Sequence, residues 1–231
     1  MLGVGSRRDC DQVAVSGRVK IDGQPVREPG ARVIPGVTRV TLDGTPLVNP
    51  PQRIVLLLNK PPGYVSTVSD PMGRPTVLDL CKHVTRGRRV FPVGRLDVNT
   101  TGAILLTNDG MLCYRLTHPS FEIARVYVVR VRGVVDGQKL RRLGRQSGRA
   151  VTGAGRPPVE LVRELGKEAI LRITLHEGRY RQVHRMCEAV GLHVVRLKRV
   201  QFGPVTIRKL PLGAVRPLAA KEIERLRQTA F

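Results

Sequence analysis

Near its N-terminus the chain alternates between apolar and polar positions in short segments. RVKIDG (18–23) and TRVTLDG (38–44) alternate with a period of two, and each ends in Asp-Gly, which predicts two hairpins. Ahead of them, residues 6–16 carry apolar side chains at helical spacing. Ser6 and Asp9 have the spacing of a capping box. We therefore predict one helix followed by two hairpins.

Longer patterned segments follow after residue 52. The segment RIVLLLN (53–59) has an uninterrupted apolar run at 54–58, which is typical of a strand buried on both faces, and RVYVVRVRG (125–133) alternates between apolar and polar positions. These patterns predict an α+β fold with a mixed, largely antiparallel sheet and flanking helices, preceded by a small, incomplete α/β module. Further strands are predicted at 90–97, 103–109, 159–164, 169–176 and 193–203, and helices at 76–84, 109–116, 136–145, 177–190 and 220–228.

The domain boundary is predicted at a proline-rich linker. Asn49-Pro50-Pro51 interrupts both kinds of periodicity, so we expect a small module at 1–48, a linker at 49–52 and a larger domain at 53–231. A Gly/Pro-rich loop is expected at 148–158. The chain lacks both a long apolar run and the apolar core of a signal peptide, which predicts a cytoplasmic protein without membrane association.

Positive charge is the strongest compositional signal. The 231 residues contain 40 Lys and Arg against 18 Asp and Glu, a net charge of +22. Residues 1–51 contribute only +2 and residues 52–231 contribute +20. Because these cations are spread through patterned sequence rather than a tail, they are expected to cover a folded surface. A polyanion such as RNA is the favoured partner, with general solubility as the alternative.

Metal chemistry is not indicated by the sequence. The four cysteines are far apart in the chain, and the five histidines form no HxxxH or HExxH pair. We expect reduced thiols and no metal site.

Three features are candidates for chemistry, each with an ordinary structural alternative. Asp97 follows a predicted strand in a loop of small polar residues, where an aspartate is more often a turn former. Tyr127 lies in a valine-rich strand, where it is either a core residue or a platform for a nucleic-acid base. The predicted helix 177–190 has a polar face that is either a solvated surface or a set of cations over a pocket. Its members are Arg181, His184, Arg185 and Glu188.

Taken together, these segments resemble the successive motifs of pseudouridine synthases. LLLNKPPGYVST, VFPVGRLDVNTTGAILLTNDG, ARVYVVRV and EGRYRQVHRM occur in the order of that family, over roughly residues 53–228. The match is most similar to the Rsu-like branch, which modifies ribosomal RNA. SRRDCDQVAVSGRVKIDGQPVREPGARV resembles the RNA-binding module named after small-subunit ribosomal protein S-four. It begins near that module's second helix, so we expect a truncated module.

The resemblance implies isomerisation of a uridine within RNA, which needs no cofactor. It makes Asp97 the catalytic carboxylate, acting either as a nucleophile or by removing a sugar proton. It makes Tyr127 the residue that stacks on an extruded base and Arg95 a residue that helps to displace the flipped nucleotide. Ribosomal RNA is the expected partner and a monomer the expected state. Neither the RNA nor the particular uridine is specified.

One position departs from the family pattern. Where the family places Arg or Lys two residues after the motif glutamine to pair with the aspartate, this chain has His184. Either His184 pairs with Asp97, which would make activity sensitive to pH, or Arg179 or Arg181 compensates. This departure supports an alternative hypothesis, in which the protein is a non-catalytic RNA-binding or ribosome-assembly factor that retains the synthase fold.

Overall fold

The protein divides into two compact units, residues 1–53 and 54–231. The computed structural model describes residues 5–28, 30–34, 37–47, 52–147 and 158–230. Apart from residue 52, the predicted linker lies outside these ranges, and so does nearly all of the predicted loop at 148–158. The two units are described separately below.

The first unit contains the predicted helix and both predicted hairpins. Helix α1 spans Arg7–Val15, and its capping box is formed because Ser6 and Asp9 exchange side-chain-to-backbone hydrogen bonds. Both Asp-Gly turns have positive φ at both residues, as a two-residue hairpin loop requires. The strands are β1 (Val19–Ile21), β2 (Gln24–Pro25), β3 (Val40–Leu42) and β4 (Thr45–Pro46), in the order β2-β1-β3-β4.

The second unit is built on one mixed sheet, which confirms the predicted fold class. Its strand order is β13-β5-β7-β11-β8-β10-β9, with β6 paired to β7 and β12 paired to β11. The pairing of β7 with β11 is parallel, and the other pairings are antiparallel. The strands are β5 (Val55–Lys60), β6 (Phe91–Val93), β7 (Thr101–Thr107), β8 (Arg125–Arg132), β9 (Val159–Leu165), β10 (Glu168–Leu175), β11 (His193–Phe202), β12 (Val205–Thr206) and β13 (Val215–Pro217).

Helices cover both faces of this sheet around β5 and β7. The helices are α2 (Lys82–Thr85), α3 (Gly110–Thr117), α4 (Gly137–Gln146), α5 (Gln182–Glu188) and α6 (Ala220–Ala230), with 3-10 turns at Asp79–Cys81 and Pro119–Phe121. Leu56 and Leu58 of β5 belong to an apolar cluster that includes side chains of α5, whereas Val55 and Leu57 belong to one that includes side chains of α3 and α6. Strand β5 is therefore buried on both faces, as its uninterrupted apolar run predicted.

Three predicted elements are clearly shorter in the structure. The helix predicted at 76–84 consists of the 3-10 turn at Asp79–Cys81 followed by α2. The strand predicted at 90–97 ends at Val93, so Arg95 and Asp97 belong to a loop. The helix predicted at 177–190 begins only at Gln182, because Arg181 adopts a left-handed conformation with φ of 47°. Helical periodicity does not register that change of direction, which places residues 177–181 in an irregular segment.

Gly102 allows β7 to lie directly against β11. It has a φ of +107°, and a Cβ atom at this position would lie 2.1 Å from the carbonyl oxygen of Arg199. Any larger residue would separate the parallel strands at this point. Within the described ranges, no helix has the length and apolar character needed to cross a membrane.

Candidate active site

A cleft of about 650 Å³ opens in the second unit and collects the residues singled out from the sequence. Asp97 and Arg95 enter it from the loop between β6 and β7, and Tyr127 from β8. The segment from Glu177 to His184 supplies another wall, which includes Arg179 and Arg181. Residues distant in sequence, from three parts of the chain, therefore share one cavity.

The loop that carries Asp97 is held from beneath by a buried lysine. Lys60, at the end of β5, has no exposed surface. Its Nζ donates hydrogen bonds to the carbonyl oxygens of Val98 at 2.8 Å, Thr100 at 3.0 Å and Asp97 at 3.2 Å, and to that of Pro61 at 3.0 Å. These bonds hold the backbone of the loop in a single conformation.

The environment of Lys60 penalises its charge. Burial lowers the pKa of Lys60 from its usual 10.5 to about 8, while the charge of Asp97 opposes this shift. With that pKa the ammonium is mostly protonated at pH 7, so all three of its hydrogens remain available to the carbonyl groups. Residue 60 therefore orders the loop and places a positive charge near Asp97.

A second anchor fixes the residue before Asp97. The Oγ atom of Ser66 donates to the carbonyl oxygen of Leu96 at 2.9 Å and accepts from its amide at 3.1 Å. Leu96 itself is buried in the apolar cluster beneath the loop. Arg95 is exposed on the other side of Leu96. This arrangement leaves Asp97 partly buried at the cleft and Arg95 at its exposed margin.

Tyr127 belongs both to the core and to the cleft. Only 8% of its surface is exposed, and it packs in the apolar cluster that includes Val183 and Leu197. It also lines the cavity that contains Asp97. The two interpretations of this tyrosine are therefore compatible, because a mostly buried ring is held rigidly while part of it faces the cavity.

The irregular segment before α5 is ordered by Glu177 and Gln182. The Nε2 atom of Gln182 donates to Oε1 of Glu177 at 2.7 Å, and Nε of Arg179 donates to Oε2 of the same carboxylate at 2.9 Å. The backbone amide of Arg179 in turn donates to Oε1 of Gln182 at 3.2 Å. Arg179 is thus engaged with Glu177, although its side chain remains 71% exposed.

His184 lies in the same cleft as Asp97 and is influenced by it. Burial and then the charge of Arg181 lower the pKa of His184 from its usual 6.5, and the charge of Asp97 partly opposes them. Its Nδ1 atom is buried and lacks a hydrogen-bond partner within the described residues. Across the same ranges neither His184 nor an arginine forms an ion pair with the carboxylate of Asp97. The site therefore contains a neutral imidazole near a carboxylate to which it is not bonded.

Two buried arginines form the floor of the cleft. Nε of Arg199 donates to the carbonyl oxygen of Ala103 at 2.7 Å, and its guanidinium lies 4.9 Å from the ring centre of Phe202. The guanidinium of Arg125 lies 5.3 Å from the same ring and donates to the carbonyl oxygens of Leu116, Ile123 and His176. Burial lowers the pKa of Arg125, with a smaller contribution from Arg199. The floor is therefore cationic and rigid.

Sequence reasoning missed several of these residues. Lys60 and Ser66 fall in the segment NKPPGYVS, whose proline and glycine residues indicate a turn and give no sign that a lysine and a serine are buried there. Tyr180, 78% exposed, lines the cleft but lies in a segment that was predicted to be helical. Arg199 lies on a strand with several cations, and its sequence position does not distinguish it from the exposed ones. The signal that could have identified it is the bulge in β11 between Arg199 and Gln201, which a sequence does not reveal.

The cleft combines the carboxylate of Asp97, and that of Glu177 which is bonded to Arg179 and Gln182, with several cations and a fixed aromatic ring. No group of three or more His, Cys, Asp and Glu side chains suited to a metal ion occurs in the described ranges. Such a cavity can hold an anionic, partly aromatic molecule and bring a carboxylate to it.

The fold is that of an RNA-modifying isomerase. The chain belongs to the RNA pseudouridylate synthase family, whose model matches residues 54–189. A solved structure described as a pseudouridylate synthase superposes with a TM-score of 0.64 and 30% identity, covering 96% of this chain and 94% of the other.

Curated relatives extend the similarity over nearly the whole chain. An RNA pseudouridine synthase of Aquifex aeolicus is 42% identical, covering 97% of this chain and 89% of the relative. The ribosomal large subunit pseudouridine synthase B of Bacillus subtilis is 38% identical, covering 99% of this chain and 93% of the relative. The predicted family and the enzyme class are confirmed.

Proposed function

We propose that this enzyme converts one uridine of large-subunit ribosomal RNA to pseudouridine, with Asp97 as the catalytic carboxylate. The names of relatives such as the Bacillus subtilis protein support the choice of RNA. The observation that carries the residue assignment is the convergence of Asp97, Tyr127 and His184 on one cationic cleft.

The reaction balances without a co-reactant. The bond between C1′ and N1 breaks, the uracil turns, C5 bonds to C1′, and the proton lost from C5 is matched by one gained at N1. The carboxylate of Asp97 acts either as a nucleophile on the sugar or as the base that removes a sugar proton. Both roles need an anion in a preorganised site, and the anchored loop supplies that preorganisation.

The target nucleotide must leave its stack to reach Asp97. Extrusion costs a few kcal/mol, and least in loops and bulges. Stacking on an aromatic ring contributes about 1–3 kcal/mol, so Tyr127 offsets part of this cost. Arg95 is exposed at the margin of the cleft, and in this proposal it would contact the strand that the nucleotide leaves. Arg179, Arg181 and His184 would contact the extruded nucleotide from the opposite wall.

Replacement of Asp97 by asparagine tests the proposal. Purified wild-type enzyme, Asp97→Asn and the control Glu224→Gln, an exposed carboxylate on α6, are incubated with unmodified large-subunit RNA. Carbodiimide labelling and primer extension then locate pseudouridine. Wild type and the control should produce the same single stop and Asp97→Asn none, while all three bind the RNA. A stop with Asp97→Asn refutes the assignment, and absence of a stop with wild type favours an assembly factor.

A further inference from the structure

One half of the large sheet has a face that no described helix covers. On strands β8 and β10, buried side chains such as Val129 and Leu171 alternate with partly exposed ones such as Arg130 and Arg172. The buried set packs with α5 and includes Tyr127 of the cleft, so the exposed set lies on the opposite face. We call this the back face; its cations are Arg130, Arg132, Arg163, Arg172, Arg196 and Lys198.

Strand register places five of these cations in two adjacent rows, and Arg132 lies in a further row opposite Glu168. Arg196 of β11 lies directly opposite Arg130 of β8, and that row continues through Ile170 to Arg163 of β9. In the next row, Lys198 lies opposite Val128, which lies opposite Arg172, and Glu160 completes it. At about 4.8 Å between strands, the four strands form a basic surface about 15 Å wide.

The described protein neutralises little of this charge. Glu168 pairs with Arg130 and Arg132. Within the described residues no carboxylate pairs with Arg163, Arg172, Arg196 or Lys198, and the buried Nε atom of Arg172 has no hydrogen-bond partner. Like charges directly opposite each other destabilise a sheet, and the ion pair of Arg130 with Glu168 offsets only part of the repulsion between Arg130 and Arg196. An anion bound across the rows would remove that repulsion.

We propose that the back face binds backbone phosphates of the substrate RNA, in a segment distant from the uridine that enters the cleft. This inference rests on the proposed function. Several unpaired cations spaced a few ångströms apart match the repeated charges of a nucleic-acid backbone, and phosphate contacts position RNA without reading its sequence. A long folded RNA contacts both faces of the sheet, whereas a short stem-loop occupies the cleft alone.

The test removes three cations and compares two RNAs. The triple variant Arg172→Thr/Arg196→Thr/Lys198→Thr retains residues suited to strands. The control Arg208→Gln/Lys221→Gln/Arg225→Gln removes the same charge from exposed positions outside the two rows. Dissociation constants are measured against salt, and kcat and KM are measured for pseudouridine formation, with a large-subunit RNA fragment and with a short target stem-loop.

We expect a selective loss of affinity for the long RNA. The triple variant should bind it about tenfold more weakly, with a log–log salt slope flatter by about 2, since each phosphate contact on single-stranded RNA contributes about 0.7. KM for the long RNA should rise while kcat and both constants for the stem-loop stay unchanged. The melting temperature should equal or exceed that of wild type, because the repulsion is relieved. If the melting temperature of the triple variant falls instead, the double variant Arg196→Thr/Lys198→Thr replaces it in the binding assay. Its log–log salt slope should be flatter than that of wild type by about 1.4.

Two results would overturn the inference. Equal losses in the triple variant and the control would show a general effect of net charge. Unchanged binding of the long RNA would show that the back face does not contact RNA phosphates. Failure of the proposed function is distinguishable, since wild-type enzyme would then form no pseudouridine in either RNA, whereas the binding comparison would still report on the back face.

Discussion

If Lys60 positions the loop of Asp97, its replacement should change the stability of the fold little and lower activity strongly. In Lys60→Met the side chain keeps a similar length but loses its charge and its donors. Burial lowers the pKa of the lysine from 10.5 to about 8, which corresponds to about 3 kcal/mol of unfavourable free energy for the charged form in the fold. Methionine removes that penalty.

The hydrogen bonds lost in the variant are worth a similar amount. Four carbonyl groups lose a donor, but that of Val98 still accepts from the amide of Gly63 and that of Asp97 from the amide of Thr100. At about 1 kcal/mol for each lost bond, the loss is about 2–4 kcal/mol. We therefore expect the free energy of unfolding at pH 7.5 to change by no more than about 1 kcal/mol.

Activity should fall much further. Without Lys60 the loop keeps the anchor of Ser66 on Leu96 but loses the one beneath Asp97 to Thr100, and a displacement of about 1 Å at a catalytic group lowers the rate about 100-fold. Single-turnover pseudouridine formation measures that rate, with Lys221→Met, a change at an exposed lysine of α6, as the control. A Lys60→Met variant with wild-type kcat would refute the positioning role.

The pH dependence of stability provides an independent check. The pKa of Lys60 is lower in the folded protein than in the unfolded chain, so protonation of Lys60 favours the unfolded chain. The free energy of unfolding is therefore highest above pH 10.5, where Lys60 is neutral in both states, and this stability is lost as pH falls through about 8. Between pH 10.5 and 7.5 wild type should lose about 3 kcal/mol relative to Lys60→Met, measured by urea unfolding. Parallel curves for the two proteins would contradict the burial of a charged lysine.

Three further substitutions test other parts of the site. His184→Arg should keep or raise kcat near pH 8, because the lowered pKa of His184 leaves the imidazole neutral there while arginine supplies a permanent cation near Asp97; a large loss would contradict the expectation that a cation at this position supports Asp97. Tyr127→Leu should lower kcat/KM about 10- to 100-fold by removing base stacking, whereas Tyr127→Phe should lower it less than tenfold; equal losses would point to the hydroxyl group. Gly102→Ala should destabilise the fold by at least about 3 kcal/mol in urea unfolding, since its Cβ would overlap the backbone of Arg199; a wild-type midpoint would contradict that contact.

Local rules predicted much of the architecture. The apolar run at 53–59 identified a strand buried on both faces, and the Asp-Gly pairs identified hairpin turns that the structure confirms. Asp109, the first residue of the helix predicted at 109–116, caps α3 by accepting from the amide of Leu112. Such features depend on neighbours a few residues away, so the sequence alone contains the necessary information.

The start of α5 shows where local rules failed. Periodicity extended this helix back to residue 177, but Glu177 bonds to Gln182 and Arg179 in a non-helical segment, and Arg181 turns left-handed. The competing interaction is a side-chain network, which periodicity does not detect. This error concealed the exposure of Tyr180 at the cleft.

The sequence by itself determined most of the elements, with several of their caps and turns, the family motifs and the candidacy of Asp97. Only the tertiary structure decided that Lys60 supports the loop of Asp97 and that His184 lies in the same cleft as Asp97 without bonding to it. It also decided that Arg196 lies directly opposite Arg130 on the neighbouring strand. The physical reason is the range of the interactions. Helix periodicity, caps and turns join residues that are near in sequence, whereas a cleft and a cross-strand row of charges arise from residues brought together by folding.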